Sequence, residues 1–272
     1  MDNRPIGFFD SGIGGLTGIP YMMRNLPNER IIFFGDTART PYGSKSPETI
    51  KQFTKQICEF LVMNDVKMIV IACNTVSATC IDDLRQRYPE IPVIGVISPT
   101  ARVAAETCGP EERIGVIATK VTTQSGAYIW KIREKNPNLR NIFSIACPAF
   151  VPLIEEGIID NEIMDLTIKY YMDDFMRENK IDTIVLGCTH YPLIARNIQR
   201  IYPGVRIISS SREVAVAVHI ELEKRDMLAD VKTSENVFYA SDISGNFGNM
   251  IQLVLGTEQD ELNIKFKNLE YY

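Results

Sequence analysis

Two cysteines stand in near-copies of one setting. Residues 68–78 read MIVIACNTVSA, and residues 183–193 read TIVLGCTHYPL. Each is a short apolar run ending in Ala or Gly, then Cys, then small polar residues, then a helix-like segment. Cys73 and Cys188 therefore sit at equivalent strand ends of two related halves. Thiols placed this way suit an acid and a base acting on opposite sides of one small substrate. A free thiol titrates at about 8.5, and poising it near neutrality takes about 2 kcal/mol. A helix N-terminus just after each Cys supplies part of that, and Thr75-Val76 and His190-Tyr191 suit such turns. One cysteine alone would read as an ordinary buried residue, but the repetition favours chemistry. Cys58, Cys80, Cys108 and Cys147 lack the repeated context and are assigned to structure.

Other groups could assist. Asp10-Ser11-Gly12 follows the first apolar run, and Gly14-Gly15 opens a helix. GxGxxG is not matched, so a phosphate loop is a poor reading. Asp10 suits binding an ammonium group or assisting a proton transfer, and equally a helix N-cap. His190 is one of two histidines, and imidazole is a natural partner for a thiol. Residues i and i+2 at a strand end are expected to point apart, which counts against direct activation of Cys188 by His190. His219, in VAVAVHIEL, reads as a packed or surface residue. Glu155 follows Pro152 and is expected in the first turn of a short helix, as an acid favoured by the dipole. Pro41-Tyr42-Gly43 alone reads as a turn.

These groups need a scaffold. Strands are expected at 5–9, 31–34, 68–72, 93–97, 113–118, 142–146, 183–187, 205–209 and 237–240. They are nearly continuous in Ile, Val and Phe, as strands buried on both faces should be. Ser46-Pro47 supplies an N-cap and a Pro at the first helical position, and Ile50, Phe53, Ile57, Phe60 and Leu61 recur at helical spacing. Other helices are expected at 14–25, 76–87, 122–134, 160–178, 191–201, 212–227 and 246–255. The alternation argues a doubly wound parallel α/β sheet. Ligands bind outside the carboxyl ends of such strands. Two facing halves would bring the loops after 6–9, 114–118 and both cysteine strands around one cleft.

Composition narrows the function classes. The 272 residues are 45% hydrophobic, enough for one large or two ordinary domains. A net charge of −5 offers no basic field for nucleic acid or an anionic membrane. No apolar run approaches bilayer length, and MDNRPIGFFDSG lacks the apolar segment of a signal peptide, so a cytoplasmic protein is expected. The six cysteines show no CxxC pair, and two histidines do not make a His-rich metal site.

Five segments carry a resemblance over essentially the whole chain: FFDSGIGG (8–15), FFGDTARTPYGSKS (33–46), IVIACNTVSA (69–78), CPAFVPLIEEG (147–157) and IVLGCTHYPL (184–193). Together they resemble the glutamate racemases. The paired CNT and CTH loops alone indicate the wider aspartate/glutamate racemase group, and DSGIGG and DTARTPYG narrow it. The resemblance implies two flavodoxin-like domains facing each other across a cleft. It implies cofactor-independent interconversion of L- and D-glutamate, supplying D-glutamate for peptidoglycan, in a homodimer. Cys73 and Cys188 match the two proton donor/acceptors. Asp10-Ser11, Tyr42-Gly43 with Pro41, Asn74-Thr75 and Thr189-His190 match substrate-binding positions. Asp10, Glu155 and His190 match residues that assist the proton transfers, and Thr119 and Thr122 match polar loop positions of the second half. Ser98-Pro99-Thr100, Ala118, Val121 and the C-terminal YASDISG depart from the family's usual pattern.

The expected division is 1–97 plus 208–272 for one domain and 98–207 for the other. Competing readings are a racemase of aspartate or another acidic amino acid, a two-lobed small-molecule binding protein, and a cysteine hydrolase using Cys188 and His190.

Overall fold

The computed structural model describes residues 1–257 and 261–269, so 258–260 and 270–272 of the expected first domain lie outside the described residues. Ten strands are described: β1 Ile6–Asp10, β2 Ile31–Gly35, β3 Met68–Ile71, β4 Val93–Gly95, β5 Ile114–Ala118, β6 Ile142–Ala146, β7 Thr183–Gly187, β8 Arg206–Ser209, β9 Val237–Ala240 and β10 Asn263–Phe266. They form two sheets, ordered β10-β9-β2-β1-β3-β4 and β6-β5-β7-β8. Every pairing is parallel, with Phe8 level with Phe33 on one side and Val70 on the other.

The local order β2-β1-β3-β4 repeats as β6-β5-β7-β8. This is the flavodoxin-like winding, in which the order reverses between the first and third strands and opens a crevice at their carboxyl ends. The Asp10 loop and Cys73 flank that crevice in one sheet. Thr119, following β5, and Cys188, following β7, flank it in the other.

Continuous apolar runs become central strands because both faces are covered. Phe8, Phe9, Phe33 and Phe34 are fully buried, and each such side chain contributes roughly 1.5–3 kcal/mol by burial. Ser46 caps the helix Pro47–Met63 by accepting from the Thr49 N–H at 3.3 Å. The chain passes between the sheets twice, after β4 and after β8. Helix Ile97–Thr107 packs on helix Ala127–Lys135 of the second sheet, and helix Ser210–Lys224 returns to pack on helix Ile19–Asn25 of the first.

Several boundaries differ from expectation. β4 ends at Gly95, and Ile97 already starts a helix; Pro99 lies within its first turn, where a missing N–H costs nothing. The expected helix 122–134 is two, Lys120–Ser125 and Ala127–Lys135, broken where Gly126 adopts φ +64°. β10 was not expected because its alternating, largely exposed residues lack an apolar run. The expected division at 207/208 falls inside β8, whose ladder to β7 continues to Ser209. Among the described residues, no helix is long and apolar enough to cross a membrane.

Candidate active site

The two crevices face one another and close over a cavity of about 20 Å³, little more than the room one water needs. Its wall from the first half is Ser11, Thr40, Pro41, Tyr42, Gly43, Cys73, Asn74 and Thr75; the second half supplies Thr119, Val151, Cys188, Thr189 and His190. A larger groove, about 650 Å³, lies between Pro20, Met23, Phe238 and Leu255. It contains neither thiol nor histidine, so we assign the site on chemistry rather than on size.

Cys73 is the N-cap of helix Asn74–Arg87, and no side chain caps that helix. The N-terminal end of that helix favours negative charge. The Cys73 thiol donates to Ser11 Oγ at 3.2 Å. Burial, reinforced by the charge of Asp10, pushes Cys73 up to about 12, and contacts from Ser11 and the Val76 N–H only partly oppose this. Cys73 is thus a neutral thiol around pH 7.

The second half differs. His190 Nδ1 lies 3.8 Å from Cys188 Sγ, and His190 Nε2 lies 2.9 Å from Glu155 Oε1. The expectation that Cys188 and His190 point apart is overturned. After Gly187 the backbone leaves the extended form, and His190 is helical at φ −78°, ψ −28°, which brings the ring back beside the sulfur. Burial disfavours the His190 cation, but the Cys188 and Glu155 contacts outweigh it and raise the imidazole to about 10. Glu155 is the last residue of helix Phe150–Glu155, not in its first turn. A carboxylate at that end is opposed by the dipole, so its placement is explained by the imidazole it meets.

Asp10 is fully buried. Its carboxylate accepts from the Gly12 N–H at 3.1 Å, from the Gly15 N–H and from Thr189 Oγ1 at 3.3 Å. Burial raises its pKa, and the charge of His190 and these donors oppose the rise. Asp10 is not the N-cap of the helix Gly14–Gly18, a position Ile13 holds; it ties down the glycine loop and meets the second half through Thr189. Asp10, Thr122 and Glu155 stand behind the cavity wall rather than in it. Thr122 Oγ1 reaches Thr119 Oγ1 at 3.1 Å and Thr75 Oγ1 at 3.4 Å, and Thr75 and Thr119 meet at 3.0 Å.

Sequence reasoning missed some members. Tyr128 Oη donates to Asn74 Oδ1 at 2.6 Å, and Asn74 Nδ2 donates to Ser210 Oγ at 3.2 Å, which fixes the amide's orientation. Thr17 Oγ1 meets Ser211 Oγ at 2.7 Å and donates to the Thr189 carbonyl at 2.9 Å. Tyr128, Ser210 and Ser211 come from helices whose local sequence signals only packing. Thr40 and Val151 lie inside the segments already singled out, next to Pro41 and Pro152. Cys58, Cys80, Cys108 and Cys147 are buried, unpaired and outside the cavity. Among the described residues, no three His, Cys, Asp or Glu side chains converge as a metal site.

The arrangement offers a neutral thiol, a thiol partnered by an imidazole, and helix N-termini around a space with room for little more than one water. Comparisons with known proteins point one way. The family model for Asp/Glu/hydantoin racemases matches residues 22–218. The glutamate racemase of Geobacter metallireducens is 45% identical over 249 residues, 91% of each chain. That of Chlorobaculum tepidum is 43% identical over 96% of each chain. The crystal structure of a Francisella tularensis glutamate racemase in complex with D-glutamate superimposes with a TM-score of 0.92, at 40% identity and full coverage of both chains.

Proposed function

We infer that this chain, which belongs to the Asp/Glu/hydantoin racemase family and to the glutamate racemases within it, interconverts L- and D-glutamate. The observation that carries the reading is the pair of thiols, Cys73 and Cys188, lining one small cavity from opposite halves. Inverting a carbon requires a base on one face and an acid on the other. With Cys73 held as a thiol, the reading gives Cys188, beside the His190 imidazole, the part of base toward L-glutamate. It removes the α-proton of L-glutamate while Cys73 protonates the other face to give the D-isomer. The reverse reaction exchanges the roles. His190, steadied by Glu155, stabilises charge at Cys188, and Asp10 assists proton movement at Cys73.

The carbanion-like transition state needs electrostatic stabilisation. Asn74, Thr75 and Thr189, with the free N–H groups of helix Asn74–Arg87, are the donors for the α-carboxylate. Ser11, the segment 41–43, Thr119 and Thr122 complete the substrate contacts. Closure excludes water and strengthens each of them. Glutamate cannot fit in the present space, so the two halves, one built on each sheet, part for entry. The chemistry as read needs no cofactor, and D-glutamate for peptidoglycan, a cytoplasmic location and a homodimer accompany the reading.

Decay of the circular-dichroism signal of L-glutamate with purified protein and no added cofactor tests it. The signal should decay to zero, and a steady signal contradicts the reading. If aspartate decays faster than glutamate, the substrate assignment is wrong. The Cys188–His190–Glu155 chain also favours a second reading as a cysteine hydrolase. Turnover of an ester probe without racemisation supports it.

A further inference from the structure

We propose that Asp36 is a positioning residue for substrate: its carboxylate clamps the Tyr42-Gly43 wall of the cavity to the segment after β9 through Ser241. Asp36 follows β2 and is fully buried. Its oxygens accept from Arg39 Nε at 2.8 and 3.0 Å, from Ser241 Oγ at 2.8 Å and from the Tyr42 hydroxyl. Three donors thus converge on one carboxylate that never touches the cavity.

The Tyr42 hydroxyl is committed to Asp36, which does not line the cavity. Its ring packs on Phe53 at 5.6 Å between centroids, and the Arg39 guanidinium covers the same Phe53 at 4.1 Å. Arg39 Nη1 also donates to Gln56 Oε1 at 2.5 Å. Burial, with the charge of Asp36, pushes the Tyr42 hydroxyl well above its ordinary value, so it remains a donor. With the ring pinned inward, Tyr42 acts by placing the chain at 41–43 along the cavity.

The other end of the clamp lies far along the chain. Ser241 N donates to the Gly35 carbonyl at 3.1 Å, and Ser241 Oγ accepts from the Ala38 N–H at 2.9 Å. Thr37 Oγ1 donates to the Asp242 carbonyl at 2.6 Å and accepts from the Asp242 N–H at 2.7 Å. The divergent YASDISG segment is therefore stitched to the loop that carries Tyr42. The cavity wall inherits its position from that segment.

This inference rests on the racemase reading, and racemisation by the wild type is measured alongside to keep the two apart. The experiment compares Asp36→Asn, Tyr42→Phe, Ser241→Ala and the Asp36→Asn/Tyr42→Phe double variant by steady-state circular dichroism with each enantiomer, beside thermal melts. Asp36→Asn is expected to raise KM about tenfold for both enantiomers with kcat changed less than about threefold, the pattern of lost uniform binding. If Asp36 acts through Tyr42, the double variant's KM equals that of the worse single variant, since coupled residues do not add. A folded Asp36→Asn with unchanged KM, or a double variant whose KM effect is the product of the singles, overturns the proposal. Should Asp36→Asn not fold, Tyr42→Phe and Ser241→Ala read the same coupling: KM effects that do not multiply support the clamp, and independent or absent effects overturn it. A wild type that does not racemise overturns the parent reading and this inference with it.

Discussion

Thr189 Oγ1 donates to Asp10 Oδ1 at 3.3 Å, so a residue of one cysteine loop holds the carboxylate of the other half. Asp10 is thereby linked to both halves: its charge acts on Cys73, and His190 acts on it. Burial raises its folded pKa above the ordinary 3.8. An acid with a raised folded pKa contributes stability in full below its unfolded pKa and loses it as pH rises through the folded value, beyond which its ionised form opposes folding. Asp10→Asn is therefore expected to raise Tm by a few degrees, at about 2–4 °C per kcal/mol for a chain of this size, while lowering kcat/KM about 100-fold. Thermal melts and initial rates on one preparation check both. A variant that loses both stability and activity would count against this role.

His190 should give the stability curve its alkaline slope. Its folded value is about 10 against an ordinary 6.5. The stabilisation is full below pH 6.5, diminishes above it and is gone once pH passes about 10. Wild-type Tm is expected to fall between pH 6.5 and 10, and His190→Asn should flatten that fall. The same variant should lower kcat/KM about 100-fold, equally in both directions because the enantiomers have equal free energy. A wild-type Tm that is flat over this window contradicts the assignment of His190 as a cation.

Gly14 is where the first loop passes under the second half. A Cβ there would lie 2.5 Å from Thr189 Oγ1 and would overlap the His190 ring. Gly14→Ala is expected to displace the Thr189-His190 pair and cost about 100-fold in kcat, as misplacements of about 1 Å do. Far-UV circular dichroism should stay that of the wild type. Full activity in Gly14→Ala would mean that this contact is not needed for catalysis.

A buried ion pair away from the site anchors the first sheet. Lys67 Nζ lies 2.7 Å from Glu29 Oε2, both nearly fully buried, and donates to the carbonyls of Asp2 and Met227. Glu29 Oε1 accepts from the Ala229 N–H at 2.8 Å. Glu29→Gln leaves the lysine charge uncompensated and is expected to cost about 3–5 kcal/mol. Urea unfolding measures it. A loss under about 1 kcal/mol would show that water reaches Lys67.

The architecture was legible because buried parallel strands read as unbroken apolar runs, and the internal repeat marked equivalent strand ends. Residues on such ends, Cys73, Cys188, Asp10 and His190, could be found from sequence. Long-range partners could not. Tyr128 reaches Asn74, and Ser241 reaches Asp36, from elements whose own patterns report only packing. Glu155 was found, but its helix was misjudged: Pro152 lies inside the turn rather than at its start. The strand 183–187 is as expected; the Cys188–His190 contact lies in the turn that follows it, which has no strand pattern from which to read directions.

The central claim is that two thiols act from opposite faces. The most direct test converts L-glutamate in deuterated water and reads the α-position of both enantiomers by NMR at early times. With Cys188 as base and Cys73 as a thiol already exchanged with solvent, new D-glutamate should carry deuterium while remaining L-glutamate keeps its proton. D-glutamate that retains the original proton, or deuterium appearing equally in both enantiomers from the start, would show that a single base serves both faces.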